Sequence, residues 1–240
     1  MEKYFFHADE DRFHWQTQNV FVARREKELL EGIFKQRRNA AILEVGCGEG
    51  ANLFFLKDSF QKITGLDFSL EKSKFAKENS GVTAIVQANA LFLPFRADFF
   101  DIVFCRDILH HVNGKRKIIS EMFRVCKNGG RIYIVEANGL NIIGFFQSLL
   151  IKVERGMIFN SAKELMKDIK KLLIWHVKIT HKHSLPLFRI FMHYRYGKPK
   201  LSQAEVFIFC LNLFEKICDF VIPQYFWYYT IIEIEKTKMN

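Results

Sequence analysis

The sequence predicts an α/β fold in which helices cover both faces of a mostly parallel sheet. Short apolar runs alternate with helical patterns at regular spacing from residue 40 to residue 137. A glycine-rich turn, ILEVGCGEG (42–50), directly follows the first of these runs. The last run of the chain alternates polar and apolar side chains, which favours an antiparallel strand beside the parallel ones.

The elements are predicted in the following order. An amphipathic helix, FVARREKELLEGIFKQ (21–36), precedes the first strand. Seven strands are predicted, over residues 40–45, 62–69, 82–90, 100–107, 131–137, 172–181 and 225–236. Further helices are predicted over 51–60, 70–80, 115–126 and 202–220, with one or two more between residues 138 and 171.

We expect a single domain over residues 1–240, because 240 residues with 49% hydrophobic side chains suit one packed core. It would comprise an N-terminal helical cap (1–39), a core (40–137), insertions around the sixth strand that form a helical lid (138–224), and the last strand (225–236). We find no internal repeat and no low-complexity segment.

Composition excludes several classes of protein. The five cysteines are odd in number and lack any CxxC pair, so neither a disulfide framework nor a metal site is expected. The first thirty residues lack the apolar segment of a secretory signal, and the longest uncharged stretch (137–151) is too short to cross a bilayer. We expect a cytoplasmic protein, either free or peripheral to the inner face of the membrane.

The net charge of +10 lies mostly in the C-terminal part. Residues 1–136 hold 21 Lys and Arg against 18 Asp and Glu, and residues 137–240 hold 15 against 8, which together make the 36 and 26 of the chain. The segment 163–200 is especially basic. It is either a solvated face or a surface for an acidic partner.

The glycine turn fits two classes of cofactor. A dinucleotide fingerprint would place its third glycine one position later than Gly50, and a Walker loop is excluded because no Gly-Lys-Ser/Thr follows. Asp67 lies 21 residues after Gly46, at the end of the second strand, where a carboxylate can accept both hydroxyls of a ribose. The first 70 residues therefore leave both a dinucleotide and S-adenosylmethionine open.

Five segments occur in order: EVGCGEG, GLDFS, ANALFLPF, FDIVFCRDILHHV and CKNGGRIYIVEAN. Together they resemble the class I S-adenosylmethionine-dependent methyltransferases, above all the enzymes with small-molecule and lipid substrates. The resemblance covers residues 20–137 well and the remainder in outline. It implies a Rossmann-like, seven-stranded sheet with an antiparallel last strand. It also implies S-adenosylmethionine as cofactor and methyl transfer to a hydroxyl, amine or carbon of a small-molecule or lipid-like acceptor.

The resemblance also implies roles for single residues. The glycines of the loop would let the cofactor's methionine part approach the backbone closely, because S-adenosylmethionine has no phosphate to bind. Asp67 would bind the ribose hydroxyls and Phe68 the adenine face, while Arg106 follows at the lip of the sheet. The other implied cofactor residues are Glu44, Gly46, Cys47, Gly48, Gly50 and Cys105 toward the amino-acid end, and Asn89 and Ala90 toward the adenine amino group.

Two neighbouring histidines are the candidates for catalysis. Methyl transfer is an in-line displacement, so holding the nucleophile near the methyl carbon matters most and a base is optional. His111 matches a histidine of many relatives and would accept a proton from a hydroxyl acceptor. The alternative is that His111 orders the following loop. His110 is a second candidate, for which a structural role is the stronger alternative.

The ends of the chain bear on the acceptor. The leader DRFHWQTQNVFVARREKELL (11–30) resembles that of some bacterial lipid- and polysaccharide-pathway methyltransferases. This resemblance would place Phe13, Trp15 and Phe21 near the site. The alternative is a helix packed on the sheet edge.

Apolar stretches in 138–160 and 184–224, with the basic run, predict a lid for an amphiphilic acceptor and peripheral membrane contact. The alternative is core packing or a homodimer interface.

Other acceptors and functions fit less well. The fourth strand ends in CRDI rather than in the Asn/Asp-Pro-Pro-aromatic run of enzymes that methylate base amines, so a nucleic-acid partner is not expected. An RNA or protein methyltransferase and a non-catalytic binding protein of the same fold remain alternatives.

Overall fold

The computed structural model describes residues 6–34, 39–172 and 176–237. Its centre is a seven-stranded sheet in the order β3-β2-β1-β4-β5-β7-β6. The strands are β1 (Ala41–Val45), β2 (Lys62–Asp67), β3 (Ile85–Gln87), β4 (Phe100–Arg106), β5 (Cys126–Ala137), β6 (Val177–Lys182) and β7 (Tyr229–Glu235). Strands β1 to β5 pair in parallel, whereas β7 runs antiparallel to both of its neighbours, β5 and β6. The predicted Rossmann-like sheet with an antiparallel last strand is confirmed.

Helices connect the strands and flank them. They are α1 (Glu10–Gln18), α2 (Val20–Ile33), α3 (Ala51–Leu56), α4 (Leu70–Asn79), α5 (Lys115–Val125), α6 (Ile142–Leu150), α7 (Ala162–Lys170), α8 (Phe188–Phe191) and α9 (Glu205–Val221). Short 3₁₀ turns cover Leu109–His111, Lys152–Phe159, Pro199–Gln203 and Gln224–Phe226. Several helices begin at a side-chain N-cap, such as Ser69 before α4 and Asn141 before α6. These side chains accept backbone N–H groups of the first turn, which have no partner within the helix.

Alternate side chains of the central strands point to opposite faces of the sheet. Ile42 and Phe104 pack in one apolar cluster with Leu30 of α2. Leu43 and Val103, their sequence neighbours, pack in a second cluster, which includes α5 and α7. Helices therefore cover both faces, as predicted.

Some element bounds differ from the prediction. Strand β3 is shorter than the predicted 82–90 at both ends, and the Asn89 side chain accepts the N–H of Leu91 in the turn that follows it. Strand β5 begins earlier, at Cys126, and its pairing with β4 shifts register between Phe100 and Ile102, so the Asn-Gly-Gly stretch belongs to the strand. Strand β7 begins only at Tyr229, after a 3₁₀ turn. Residues 1–5 and 35–38 of the predicted cap, with the end of its predicted helix, and residues 173–175 of the predicted sixth strand lie outside the described residues.

The carboxyl ends of β1, β2, β4 and β5 meet at one edge of the sheet. In open α/β sheets a ligand binds outside this edge, where the strand order reverses. Here the reversal lies between β1 and β4. In the described part of the chain, no helix has both the length and the apolar character needed to span a membrane.

Candidate active site at the carboxyl edge of the sheet

A cavity of about 540 Å³ opens at the carboxyl edge of the sheet. Its wall combines the core, the N-terminal helix α1 and the C-terminal segment. Of the predicted site residues, those that line the cavity are Gly46, Asp67, Phe68, Asn89, Ala90, Arg106 and His111, whereas Glu44, Cys47, Gly48, Gly50, Cys105 and His110 do not. The structure thus brings together seven predicted residues that are dispersed between positions 46 and 111.

The three glycines of the loop have different reasons to be glycine. All adopt positive φ, with values of 78° at Gly46, 54° at Gly48 and 84° at Gly50. A Cβ on Gly46 would lie 2.4 Å from the Cδ1 atom of Ile108, and one on Gly50 would lie 3.0 Å from the Ala76 side chain. A Cβ on Gly48 would meet no atom within 4 Å. Close packing thus adds a second reason for glycine at Gly46 and Gly50, while Gly46 also lines the cavity. Close approach of a cofactor to the loop stays a prediction.

The Asp67 carboxylate anchors the loop to β2. Its Oδ2 atom accepts the N–H of Gly48 at 2.9 Å, and its Oδ1 atom accepts the N–H of Ser69 at 2.9 Å. Burial raises the pKa of Asp67 above its ordinary value. Each oxygen retains acceptor capacity, and the side chain lines the cavity, so a pair of ligand hydroxyls could bind there.

Phe68, Asn89 and Ala90 lie together on the wall beyond Asp67. The Phe68 ring is 55% exposed, with its centroid 5.7 Å from that of Phe6. The Asn89 amide oxygen already accepts the N–H of Leu91 at 2.9 Å, which leaves one lone pair for a ligand. A flat apolar face next to an amide acceptor suits an adenine-like ring.

Glu44 lies beneath the loop, fully buried. Its Oε1 atom accepts from the amide of Asn52 at 2.6 Å, while its Oε2 atom has no hydrogen-bond partner among the described residues. Burial raises the pKa of Glu44 to about 8. The thiols of Cys47 and Cys105 are also buried, and burial raises both thiol pKa values, so neither thiol is a ready nucleophile.

Arg106 ends β4 at the carboxyl edge and lines the cavity, and its side chain is buried there. Its guanidinium donates to Glu26 at 2.5 Å and to the Tyr229 hydroxyl at 2.6 Å. Arg189 donates to the other oxygen of Glu26 at 2.7 Å and to the same hydroxyl. Burial alone would raise the pKa of Glu26, but the two guanidiniums lower it to about 2. One carboxylate of α2 therefore holds two arginines from β4 and α8.

His110 lies between two carboxylates. Its Nδ1 atom is 2.7 Å from Glu136, and its Nε2 atom is 3.0 Å from Glu154. Burial would lower the pKa of His110, but the two carboxylates raise it to about 10. Both ring nitrogens contact carboxylates, which favours the structural role for His110. Its role in catalysis stays a prediction.

His111 faces the cavity beside this group. Its Nε2 atom is 3.9 Å from Glu154, and its ring centroid is 3.9 Å from that of His110. Burial and the charge of His110 lower the pKa of His111 to about 4. His111 is therefore a neutral imidazole near pH 7, next to a protonated neighbour.

Helix α1 closes one side of the cavity. Trp15 lines it and donates its indole N–H to the Met192 carbonyl at 2.6 Å, so the N-terminal helix is tied to the C-terminal segment. Phe13 and Phe21 do not line the cavity. They pack against other aromatic rings, those of Phe54, Phe75 and Phe188. For Phe13 and Phe21, these contacts favour the alternative of a packed helix over a place near the site.

Comparison with known proteins agrees with this geometry. A family model described as "Methyltransferase domain" matches residues 43–134. An uncharacterised protein of Methanocaldococcus jannaschii is 31% identical over 169 residues, which span 69% of this chain and 78% of that protein. The chain belongs to the class I S-adenosylmethionine-dependent methyltransferase family. Membership in this family confirms the predicted cofactor, S-adenosylmethionine.

Two further relatives have named substrates. The demethylmenaquinone methyltransferase of Lactococcus lactis is 34% identical over 106 residues, or 41% of this chain and 42% of that protein. Phosphoethanolamine N-methyltransferase 2 of Haemonchus contortus, solved in complex with S-adenosylmethionine, superposes with a TM-score of 0.65 at 17% identity. The match covers 94% of this chain and 56% of that one, and it shows a shared fold. The chain spans 64%, 50% and 54% of the length of three other curated relatives.

Sequence reasoning missed several cavity residues of this methyltransferase. Arg12, Gln147, Glu154 and Arg189 line the cavity, yet they lie outside the motif series. Glu136, the buried partner of His110, could have been found, because it ends a buried strand much as Glu44 does. The other four carry no local signal, since only the tertiary fold brings their segments to the carboxyl edge.

Proposed function

We propose that this methyltransferase binds S-adenosylmethionine along the carboxyl edge of the sheet and transfers its methyl group to a small amphiphilic acceptor. One observation carries the proposal: Gly46, Asp67 and Phe68 line the same cavity as His111. Residues suited to a nucleoside thus face the same space as a neutral imidazole. The domain division given above, with N-terminal and C-terminal segments closing over the core, is part of the proposal.

The residues present fit the cofactor. Gly48 borders open space, and the Asp67 carboxylate can accept two hydroxyl hydrogens. The Oε2 atom of Glu44, which has no hydrogen-bond partner among the described residues, can accept from a cationic group once the carboxyl releases its proton. When bound, the cofactor would supply a methyl group on a sulfonium sulfur, with the neutral thioether S-adenosylhomocysteine as the leaving group. Toward the adenine we assign Phe68, Asn89 and Ala90; toward the methionine part we assign Glu44, the backbone from Gly46 to Gly50, Cys105 and Arg106.

His111 is the proton acceptor in this proposal when the acceptor is a hydroxyl. Its low pKa keeps the imidazole neutral and able to accept a hydrogen bond from that hydroxyl. Glu154, 3.9 Å from Nε2, then stabilises the imidazolium as it forms. His110 serves only to position Glu154 and the loop. Most of the rate enhancement would come from holding the nucleophile in line with the methyl group.

An amphiphilic acceptor is supported by the part of the lining that the C-terminal segment supplies. Ile151, Met157 and Tyr228 are apolar or aromatic, and Arg189 and Arg195 are cationic side chains paired with Glu26 and Asp9. The named relatives act on demethylmenaquinone and phosphoethanolamine, an apolar and an anionic molecule. We place the protein in the cytoplasm, peripheral to the inner face of the membrane.

The test is calorimetric titration with S-adenosylhomocysteine, comparing the native protein with Asp67→Asn. The variant should bind roughly 10- to 100-fold more weakly, because a hydrogen bond to a charged group contributes about 1.5–3 kcal/mol. Asp58→Asn, which removes an exposed acid at a distance from the cavity lining, is the matched control and should bind as the native protein does. Failure of the native protein to bind at millimolar concentration would exclude the proposal.

A further inference from the structure

Helix α6 has its apolar side turned outward. The residues that it buries are Ile143, Gly144, Gln147 and Ser148, which include both of its polar side chains. The residues that it exposes are Ile142, Phe145, Phe146, Leu149 and Leu150, with Leu150 at 68%. A surface helix of a globular protein normally has the opposite arrangement.

Helix α9 repeats this inversion over a longer span. It buries only Leu211, Glu215 and Cys218, and Glu215 pairs with Arg25 of α2. Its exposed apolar residues recur every three or four positions along one side, at Val206, Phe209, Leu213, Ile217 and Phe220, with Phe209 at 68% and Phe220 at 93%. Such a row of exposed large apolar side chains marks an interaction site.

The two helices are joined by segments that carry exposed apolar residues themselves. The N-cap residue of α6, Asn141, donates to the carbonyls of Ser184 and Phe226, and Ser184 in turn bonds to Asp219 of α9. Tyr225 and Phe226 between them are 46% and 44% exposed. We call this region, formed by α6, residues 225–226 and α9, the apolar face.

The apolar face lies in a strongly basic part of the chain. Between residues 138 and 226, the described residues include 12 exposed Lys and Arg and only three exposed Asp and Glu. Lys152 follows α6, Lys198 and Lys200 precede α9, and Lys216 lies within α9. Apolar side chains bordered by cations match an anionic lipid surface.

Helix α6 of the apolar face also borders the cavity on its inner side. Gln147, on the inner side of α6, lines the cavity and accepts the Tyr228 hydroxyl at 2.6 Å. Ile151, directly after α6, lines it too. One helix therefore separates the cavity from the exposed apolar side chains.

We propose that the apolar face docks the protein on an anionic bilayer, with α6 and α9 inserted among the head groups. This inference rests on the proposed function and extends it. A docked α6 would bring the cavity to the membrane surface, where amphiphilic acceptors reside. A second copy of the chain fits the face less well, because pairing would bring lysine clusters together and lysine is depleted in the cores of protein interfaces.

The experiment is co-sedimentation of the full chain with vesicles of phosphatidylglycerol or of phosphatidylcholine at low salt. We expect binding to the anionic vesicles and at least tenfold weaker binding to the neutral ones. The double variant Leu150→Gln/Phe209→Gln should lose at least tenfold in affinity for the anionic vesicles. Phe92→Gln is the matched control, because Phe92 is also 68% exposed but lies away from the apolar face.

Several outcomes would overturn the docking proposal. One is no binding to anionic vesicles, another is equal binding to both vesicle types, and a third is native affinity in the double variant. A dimer in light scattering that the double variant dissociates, without vesicle binding, would assign the face to a second copy. Titration of the double variant with S-adenosylhomocysteine tests whether the variant is folded. Because vesicle binding requires no cofactor, failure of the docking proposal can be distinguished from failure of the proposed function.

Discussion

At the scale of single residues, the two adjacent histidines show how surroundings set chemistry. His110 has two carboxylates as partners and a pKa raised to about 10, whereas His111 is buried beside that positive charge and has a pKa lowered to about 4. The same side chain is thus held charged at one position and neutral at the next. Only the neutral one faces the cavity and can accept a proton.

This assignment predicts opposite titrations for the two rings. Between pH 5.5 and 8, His110 should remain protonated and His111 neutral, as read from their ring ¹⁵N and ¹³C shifts in NMR spectra. The variants His110→Gln and His111→Gln assign the two sets of signals. A His111 ring that is protonated at pH 7 could not accept a proton from a hydroxyl, and the proposed base would be wrong.

Glu44 makes stability depend on pH. Its folded pKa of about 8 lies above the ordinary value of 4.5, so the folded state holds a proton that the unfolded state releases. Stability is therefore lost as pH rises from about 4.5 through 8. Glu44→Gln removes this loss. The free energy of unfolding of the variant minus that of the native protein should therefore be about 1–4 kcal/mol higher at pH 8 to 9 than at pH 4.5.

Urea unfolding of both proteins at several pH values measures the effect. The readout is how the difference between the two unfolding free energies changes with pH, because the buried amide has its own constant effect. A difference that does not change between pH 4.5 and 9 would show that Glu44 is ionised normally in the folded protein.

At the scale of elements, Glu26 links helix α2 to β4 and α8. Its carboxylate accepts from Arg106 and Arg189, residues 80 and 163 positions away in sequence. Breaking a buried ion pair leaves an uncompensated charge, which costs more than the pair itself contributes. Glu26 therefore adds a buried ionic link to the apolar packing that holds α2 over the sheet.

Glu26→Gln should lower the free energy of unfolding by about 3–5 kcal/mol, because two buried guanidiniums lose their counter-charge. Glu28→Gln, on the same helix but with a side chain that is 57% exposed, should change it by less than about 1 kcal/mol. Urea denaturation at pH 7 compares the three proteins. Equal losses in the two variants would mean that the buried network contributes nothing specific to stability.

Prediction from sequence succeeded where the signal is local. Strands β1, β2 and β4 and the glycine loop follow from runs of apolar residues and from glycines at fixed offsets, which depend on residues close together in the chain. The predicted bounds of β3 and β7 were wrong; a side-chain cap at Asn89 follows β3, and a 3₁₀ turn at 224–226 precedes β7. The spacing of apolar residues along the chain does not reveal such contacts.

At the scale of the whole molecule, the site is assembled from three separate parts of the chain. The core supplies Asp67 and His111, helix α1 supplies Trp15, and the C-terminal segment supplies Gln147 and Arg189. The hydrogen bond from Trp15 to Met192 closes this arrangement across 177 positions. A bound ligand would therefore contact all three parts at once.

The sequence by itself determined the order of strands and helices, the family and the glycine loop with its acid, Asp67, because each follows from neighbours in the chain. The tertiary structure decided that Arg106 is buried against Glu26, and that α6 and α9 turn their apolar sides outward. A helix that is apolar almost throughout has no sequence signal for which side meets solvent. That choice is made by contacts with residues far away in the chain, such as Gln147 with Tyr228 and Glu215 with Arg25.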